Sequence, residues 1–499
     1  MIPLTLAEVA AATGGRLDGG ADPATLVTAA VVDSRLVEPG ALFVALPGAR
    51  VDGHDFAAGA VAAGARAVLA ARPVEVPAVL VADPAAALMA LAAHVRTLTK
   101  ATVLAITGSS GKTTTKDLLA DLLGSLGPTL APPGSFNNEI GLPLTLLRLE
   151  PDTEYVALEM GARGIGHIAA LCQVARPQVG VVINVGSAHV GEYADGRAGI
   201  ARAKGELAEA ATDVVVLNAD DPLVAAMRPR ATGRRVVTFG VAAGADVRAE
   251  RIALDGAGRA SFDLVTDAER HRVALALVGE HQVGNALAAA AAALAVGMTP
   301  AAAVAALAAA RPRSRWRMEV TTAPSGLVVV NDAYNANPES MRAALRALVG
   351  LGADGDPGRR RTWAVLGPMG ELGTAADAEH AELGRFAARL GVDRTVVIGD
   401  AARPLARAAA GAGARVDWVV DVDAATELLA TAALGGGDVV LVKASRAAGL
   451  ERVAAALTAT GAAGPGAARG NGSTEAAESP EAPGSTEAPG STEAAEQTP

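Results

Sequence analysis

Short apolar runs rich in Val, Leu and Ile recur along this chain, and longer stretches with Ala and Leu at three- and four-residue spacing lie between them. The short runs have strand length and the longer ones helix length, so the pattern predicts strands and helices in alternation. In the first hundred residues, 31–32, 41–45 and 67–70 read as strands, 56–63 reads as a helix, and Pro39-Gly40 reads as a turn. A second series opens with the run 103–106. It continues through strands at 155–158, 179–184, 213–217 and 235–239 and ends in Ala-rich helices around 285–310. Arg311-Pro312-Arg313-Ser314 interrupts the pattern and predicts a hinge. A third series places strands at 327–331, 362–366, 394–398 and 439–442.

Such alternation gives mostly parallel sheets covered by helices. The expected fold class is therefore α/β in three domains. These are a small N-terminal α/β domain (1–100), a central P-loop domain with a mostly parallel sheet (101–313) and a C-terminal Rossmann-like doubly wound domain (314–460). From about Gly461 onward the chain is almost wholly Gly, Ala, Pro, Ser, Thr and Glu, and Gly-Ser-Thr-Glu-Ala recurs at 472–476, 484–488 and 490–494. That composition cannot bury enough apolar surface to offset chain entropy, so 461–499 is expected to be a disordered tail.

Composition narrows the class. The chain is 51% apolar, with Ala the commonest apolar residue, and only 2% aromatic. Its longest apolar run, 286–296, falls short of the roughly 20 residues a membrane span needs, so no membrane insertion is expected. Met1-Ile2-Pro3-Leu4 does not open a signal sequence, and a single cysteine, Cys172, excludes an internal disulfide framework. Both point to a cytoplasmic protein, with Cys172 read as a small buried apolar residue. The net charge of −10 owes about half to Glu475, Glu478, Glu481, Glu487, Glu493 and Glu496 in the tail, and nothing in the balance suggests nucleic-acid binding. Of 43 basic residues only Lys100, Lys112, Lys116, Lys204 and Lys443 are lysines. Arg stays protonated in proteins whereas Lys can present a neutral amine, so these five positions are candidates for chemistry Arg cannot perform.

The strongest chemical signal is Thr107-Gly108-Ser109-Ser110-Gly111-Lys112-Thr113-Thr114-Thr115, between the strand 103–106 and a helix expected over 112–126. A strand, a glycine turn and a helix opening on Lys-Thr form a phosphate cradle. Turn amides and the positive helix end hold phosphates, the Lys reaches the terminal ones, and the Thr can hold Mg²⁺. Ile106 stands where the commoner, longer motif has its first Gly. Further polar clusters follow strands: Glu159, placed to bind Mg²⁺; Asn184 through His189; and Asn218-Ala219-Asp220-Asp221. Lys204 lies in a helical stretch, where its alternative reading is a solvated partner of a nearby Glu. Asn137-Asn138-Glu139 precedes an apolar helix and reads as its N-terminal cap or as part of a substrate channel.

In this order the clusters resemble the Mur ligases over about residues 1–460. The segments that carry the resemblance include Asp33-Ser34-Arg35, the P-loop, Asn137-Asn138-Glu139-Ile140-Gly141 and Glu159-Met160-Gly161-Ala162. Asn184 to His189, Ala203-Lys204-Gly205-Glu206, Gly279 to Asn285, Arg317-Met318-Glu319 and Lys443-Ala444-Ser445-Arg446 complete it. Within that family, Tyr334-Asn335-Ala336-Asn337-Pro338 points to the branch that adds D-alanyl-D-alanine, and away from the tripeptide-forming branch.

The resemblance implies an ATP-dependent ligase acting on UDP-N-acetylmuramoyl-tripeptide and D-alanyl-D-alanine through an acyl phosphate, as a monomer in the cytoplasm. It implies that Gly108, Ser109, Ser110, Gly111, Lys112, Thr113, Thr114, Asn285, Arg317 and Asp332 bind ATP. By the same implication Thr113, Glu159, His189 and a carbamylated Lys204 hold two Mg²⁺ ions, with Lys112, Lys204 and His189 catalytic. Ser34 and Arg35 then meet the uridine diphosphate, and Asn137 and Asn138 the substrate. Another amide ligase of the same superfamily, including the folylpolyglutamate type, and a non-catalytic nucleotide-binding relative are the alternatives.

Overall fold

The computed structural model describes residues 1–48, 51–188, 190–353 and 358–459. They form two compact units, Met1–Thr99 with Glu139–Pro151, and Lys100–Asn138 with the chain from Asp152 onward. Two expectations, the tail 461–499 and His189, lie outside the described residues.

In the first unit a five-stranded sheet runs in the order Arg16–Asp18, Ala78–Leu80, Ala67–Ala70, Ala41–Val44, Ala29–Val31. The Pro39-Gly40 turn forms as expected: Ala41 N–H bonds Glu38 C=O and Gly40 takes φ +98°, the left-handed value a type II turn requires after Pro. The sequence reading missed the helices Leu6–Thr13 and Pro84–Thr97, though each carries a start signal. Thr5 and Glu8 form a reciprocal capping box, and Asp83 caps a helix with Pro at its first position.

The second unit holds two sheets. The larger has nine strands in the order Arg270–Val278, Arg259–Val265, Val247–Leu254, Arg235–Gly240, Val214–Asn218, Val179–Val182, Thr102–Thr107, Tyr155–Glu159, Thr129–Leu130. The P-loop strand Thr102–Thr107 lies inside the sheet, paired in parallel with Tyr155–Glu159 and Val179–Val182. In that register Glu159 is level with Ile106 and Val182 with Thr107, so three strand ends open at one level. The expectation of a mostly parallel sheet holds for the neighbours through Val247–Leu254. The last two pairings are antiparallel, in strands the sequence reading did not find. Of these, Val247–Leu254 and Arg270–Val278 carry several Arg and alternate in burial, so their apolar signal has period two and is diluted.

The helix Gln282–Ala295 explains the Ala-rich composition. Its residues Ala286–Ala293 are all fully buried, in one core with the P-loop helix Lys112–Gly124 and the sheet. Only side chains as small as Ala allow a helix to be enclosed on every face at such close approach. No helix among the described residues is long and apolar enough to cross a membrane. The six-stranded sheet runs Glu319–Thr322, Val328–Asn331, Asp438–Lys443, Arg361–Leu366, Arg394–Ile398, Val416–Val419, parallel except at its first pairing. The linker expected to be a hinge is fastened: Arg313 pairs with Asp121 and Ser314 Oγ donates to Asp117 Oδ2 at 2.6 Å, both on the P-loop helix. The chain turns just beyond, at Trp316 (φ +59°) and Met318 (φ +50°).

Candidate active site

The P-loop helix starts without a side-chain cap, at Gly111 with φ +81°. An uncapped start leaves backbone N–H groups of the first turn free for an anion. Gly111 is required twice over, because its conformation is left-handed and because a Cβ there would collide with Asn285 Oδ1. Gly111→Ala is therefore expected to weaken nucleotide binding at least tenfold by calorimetry, even where the protein still folds; strain at such a site is on the order of 1–3 kcal/mol.

Asn184 shapes the turn itself. Its Oδ1 accepts the N–H groups of Ser109 (2.8 Å) and Ser110 (3.0 Å), and its Nδ2 donates to Ser110 C=O at 3.1 Å. Of the turn amides expected to face phosphate, those two are thus taken up by a side chain from the neighbouring strand end. Lys112 Nζ donates to Gly108 C=O at 2.9 Å, folded back along the cradle. Burial lowers its pKa; Glu159 and Glu371 act upward and Arg317 downward. A bound phosphate group, being anionic, would act upward as the two carboxylates do.

Beneath the Lys, Thr113 Oγ1 donates to Glu159 Oε2 at 2.7 Å. Glu159 Oε1 accepts Asn137 Nδ2 (2.6 Å) and Ser135 Oγ (3.0 Å). Glu159 is only 1% exposed. Burial pushes its carboxyl up, but Lys112, Arg317 and the hydrogen bonds from Thr113 and Asn137 outweigh it and hold the pKa below the ordinary 4.5. Asn137 does not act as the expected cap: the N-cap residue of the helix Gly141–Leu146 is Ile140, without a side-chain cap bond, and the Asn137 side chain belongs to Glu159. The carboxylate competes better for the amide because a charged acceptor makes the stronger hydrogen bond.

Lys204 sits in the helix Arg197–Ala210 and is 4% exposed, so the solvated-helix reading fails. The nearby Glu206 instead caps another helix start, accepting Gly166 N–H (2.6 Å) and Ala169 N–H (2.9 Å). Burial lowers the Lys204 pKa well below 10.5, Lys112 lowers it further and Glu159 acts the other way. Among the described residues nothing hydrogen-bonds its amine.

Asn285 donates from Nδ2 to Gln282 Oε1 at 2.8 Å, and Gln282 meets His281 at 3.1 Å. Burial takes His281 down to about 4, so it is neutral. From the six-stranded sheet, Arg317 lies over the Tyr334 ring at 4.1 Å, and its buried Nε has no partner among the described residues. Asp332 accepts Met318 N–H at 3.0 Å and pairs with the buried Lys443 at 2.6 Å. Thr114 shares the lining of a small cavity with Gln282, Ser314 and Arg317.

The structure therefore brings together Lys112, Thr113, Glu159, Asn137, Lys204, Asn285 and Arg317. Ser34 and Arg35 lie in the first unit, where Arg35 forms a fork on Asp33. Asn337, quoted above only as part of the branch motif, and Glu339, which the sequence did not single out, join the site. Asn337 Nδ2 donates to the P-loop carbonyl of Ser109 at 3.2 Å, and Glu339 Oε1 accepts Ser187 N–H and Oγ, each at 2.9 Å. Both follow from the Asn-Ala-Asn-Pro turn; only the fold places that turn against the P-loop.

A phosphate cradle on one sheet, with a buried carboxylate and a buried lysine beneath it and an arginine supplied from a second nucleotide-type sheet, defines a multidomain P-loop enzyme. The chain belongs to the Mur ligase family. The family's catalytic domain matches 27–105, its middle domain 106–293 and its glutamate ligase domain 316–446. The UDP-N-acetylmuramoyl-tripeptide–D-alanyl-D-alanine ligase of Mycobacterium tuberculosis is 48% identical over 92% of this chain and 98% of its own length. The Escherichia coli ligase of that name is 36% identical over 92% and 100%. Among solved structures, MurF from Acinetobacter baumannii covers 91% of this chain and 99% of its own at 34% identity with a TM-score of 0.81. MurF from Thermotoga maritima in complex with ADP covers 87% and 97% at 31% identity with a TM-score of 0.74.

Proposed function

We infer that this protein joins D-alanyl-D-alanine to UDP-N-acetylmuramoyl-tripeptide with consumption of ATP, a peptide-bond-forming step of peptidoglycan precursor synthesis. The relatives of that name, aligned over nearly the whole chain, support the substrates. The observation that carries the chemistry is the contact of Thr113 with Glu159 beside the buried amine of Lys204.

In this reading the terminal carboxylate of the tripeptide takes the γ-phosphoryl group of ATP, releasing ADP. The amine of D-alanyl-D-alanine then attacks the acyl carbon, loses a proton and expels phosphate. Lys112, the free first-turn amides and Arg317 stabilise charge on the transferring group, and the unpartnered Nε of Arg317 fits that role. Thr113 and Glu159 offer hard oxygens suited to Mg²⁺, and His189 is assigned to a second ion. Mg²⁺ there supplies charge neutralisation of the phosphates. Lys204, whose neutral form burial favours, can take up CO₂ as a carbamate, which turns a cation into an oxygen ligand.

Asn285 is assigned to adenine, Asp332 to ATP, Ser34 and Arg35 to the uridine diphosphate, and Asn138 to the peptide. Asn337 and Glu339 fasten the third domain on the shoulder of the P-loop, which keeps water from a hydrolysable intermediate. Domains bounded at 100, 313 and 460 are proposed as the working modules of a single chain acting alone. Nucleotide-linked substrates support a cytoplasmic site of action.

The test is phosphate release from ATP with UDP-N-acetylmuramoyl-tripeptide, with and without D-alanyl-D-alanine. Release is expected only with both. Equal release with a single amino acid in place of the dipeptide would assign the chain to a different ligase reaction.

A further inference from the structure

Lys116 is one of the five lysines, and the reaction gives it no task. It lies on the P-loop helix and is 1% exposed. Its Nζ donates to Pro132 C=O at 2.5 Å and pairs with Asp117 Oδ1 at 2.6 Å. A compact ammonium can satisfy two oxygens so close together.

What the pair holds is more telling than the pair itself. Pro132 begins the loop whose Ser135 and Asn137 both donate to Glu159 Oε1. The other oxygen of Asp117 accepts Ser314 Oγ at 2.6 Å, and Ser314 lies three residues before Arg317. One turn further along the helix, Asp121 pairs with Arg313 of the same linker. Burial raises the Asp121 pKa, Arg313 lowers it, and the Asp117 charge raises it again. Lys116 is thus the counter-charge that lets two carboxylates one turn apart both face the linker.

We propose that Lys116 and Asp117 are positioning residues that couple the loop orienting Glu159 to the linker that presents Arg317. Loss of the ammonium leaves Pro132 C=O unpartnered and frees the loop, so Glu159 loses its fixed direction. It also leaves Asp117 uncompensated beside Asp121, so the grip on Ser314 slackens. Groups on the two sides of the nucleotide then move together. This inference rests on the roles assigned above to Glu159 and Arg317.

The experiment is calorimetric binding of ATP, with Mg²⁺ and with EDTA, to the parent protein, Lys116→Met, Ser314→Ala and the double variant. With Mg²⁺ each single substitution is expected to weaken binding three- to tenfold. The double variant is expected to be weaker than the worse single by less than twofold, because both act through Asp117. With EDTA the Lys116→Met effect is expected to shrink below twofold. Lys116→Arg, which keeps the charge, is expected to lose less than Lys116→Met. Independent effects that multiply in the double variant would overturn the coupling, as would a Lys116→Met loss of the same size without Mg²⁺. Should Lys116→Met fail to fold, Ser314→Ala decides alone: the Mg²⁺ concentration at half-maximal ATP binding must rise, and an unchanged value rejects the proposal. A parent protein that binds no ATP would remove the assigned function, whereas a binding parent with additive variants removes only the coupling.

Discussion

Lys204→Arg is expected to lower turnover on the order of 10²–10³-fold while leaving the protein folded, the size of loss seen when one preorganised charge is removed from a transition state. Arg keeps a positive charge and helix propensity but never offers the neutral amine that reacts with CO₂. Its surroundings favour that amine because it is buried and because Lys112 is nearby. Two measurements separate a carbamate from a merely structural lysine. Depletion of CO₂ should slow the parent enzyme and bicarbonate should restore it. Acetate or formate should partly rescue Lys204→Ala by supplying an anion. Arg at full activity would sink the assignment.

The same residue makes a stability prediction whose sign is fixed. In CO₂-free buffer the folded chain holds Lys204 at a pKa well below 10.5, so the unfolded chain binds more protons between that value and 10.5. Stability attributable to this residue therefore rises with pH across that interval. Lys204→Met removes the slope. Its melting temperature should exceed the parent's most at neutral pH and below, and the advantage should vanish toward pH 10.5. Thermal scans of both proteins across that range are the check, and an inactive variant more stable than its parent would mark Lys204 as a functional burden on the fold.

Glu159→Gln is expected to cost turnover by a similar 10²–10³-fold and to raise the Mg²⁺ requirement, since a neutral amide is a poor ligand for a hard divalent cation. Gln keeps the size of the side chain, so the loss reports charge rather than packing. Because the Glu159 pKa is depressed below 4.5, the ionised form contributes stability that is present above 4.5 and lost as pH falls through the folded value. The thermal stability gap between parent and Glu159→Gln should accordingly be open at pH 7 and close under acid. Phosphate release against Mg²⁺ concentration, with a series of melts from pH 7 downward into acid, tests both halves. Unchanged Mg²⁺ dependence would free Glu159 from its assigned role.

Much of the site was legible because its signals are local. The P-loop strand, glycine turn and Lys-Thr helix start occupy consecutive positions, and Glu159 announces itself by ending an apolar run. The rarity of lysine pointed to Lys204 and also to Lys116 and Lys443, all three of which prove buried. The capping role of Asn137 was misread because an amide beside a helix start looks like a cap until a carboxylate from a distant strand comes within 2.6 Å. The Arg-bearing strands Val247–Leu254 and Arg270–Val278 went unseen for a related reason: their apolar pattern is too thin to stand out one strand at a time.

By itself the sequence determined the strand–helix alternation, the phosphate cradle, the buried character of Cys172 and the likeness to one ligase family, since each depends on residues adjacent or periodic in the chain. Tertiary structure decided which polar groups own which. Asn184 fills the cradle's turn, Asn337 and Glu339 clasp it, Glu206 caps a helix and leaves Lys204 alone, and Asp117, paired with Lys116, holds a linker nearly two hundred residues on. The reason is physical: a buried polar atom must find a partner wherever the packed backbone brings one, and that choice is made by distance in space, on which the order of residues is silent.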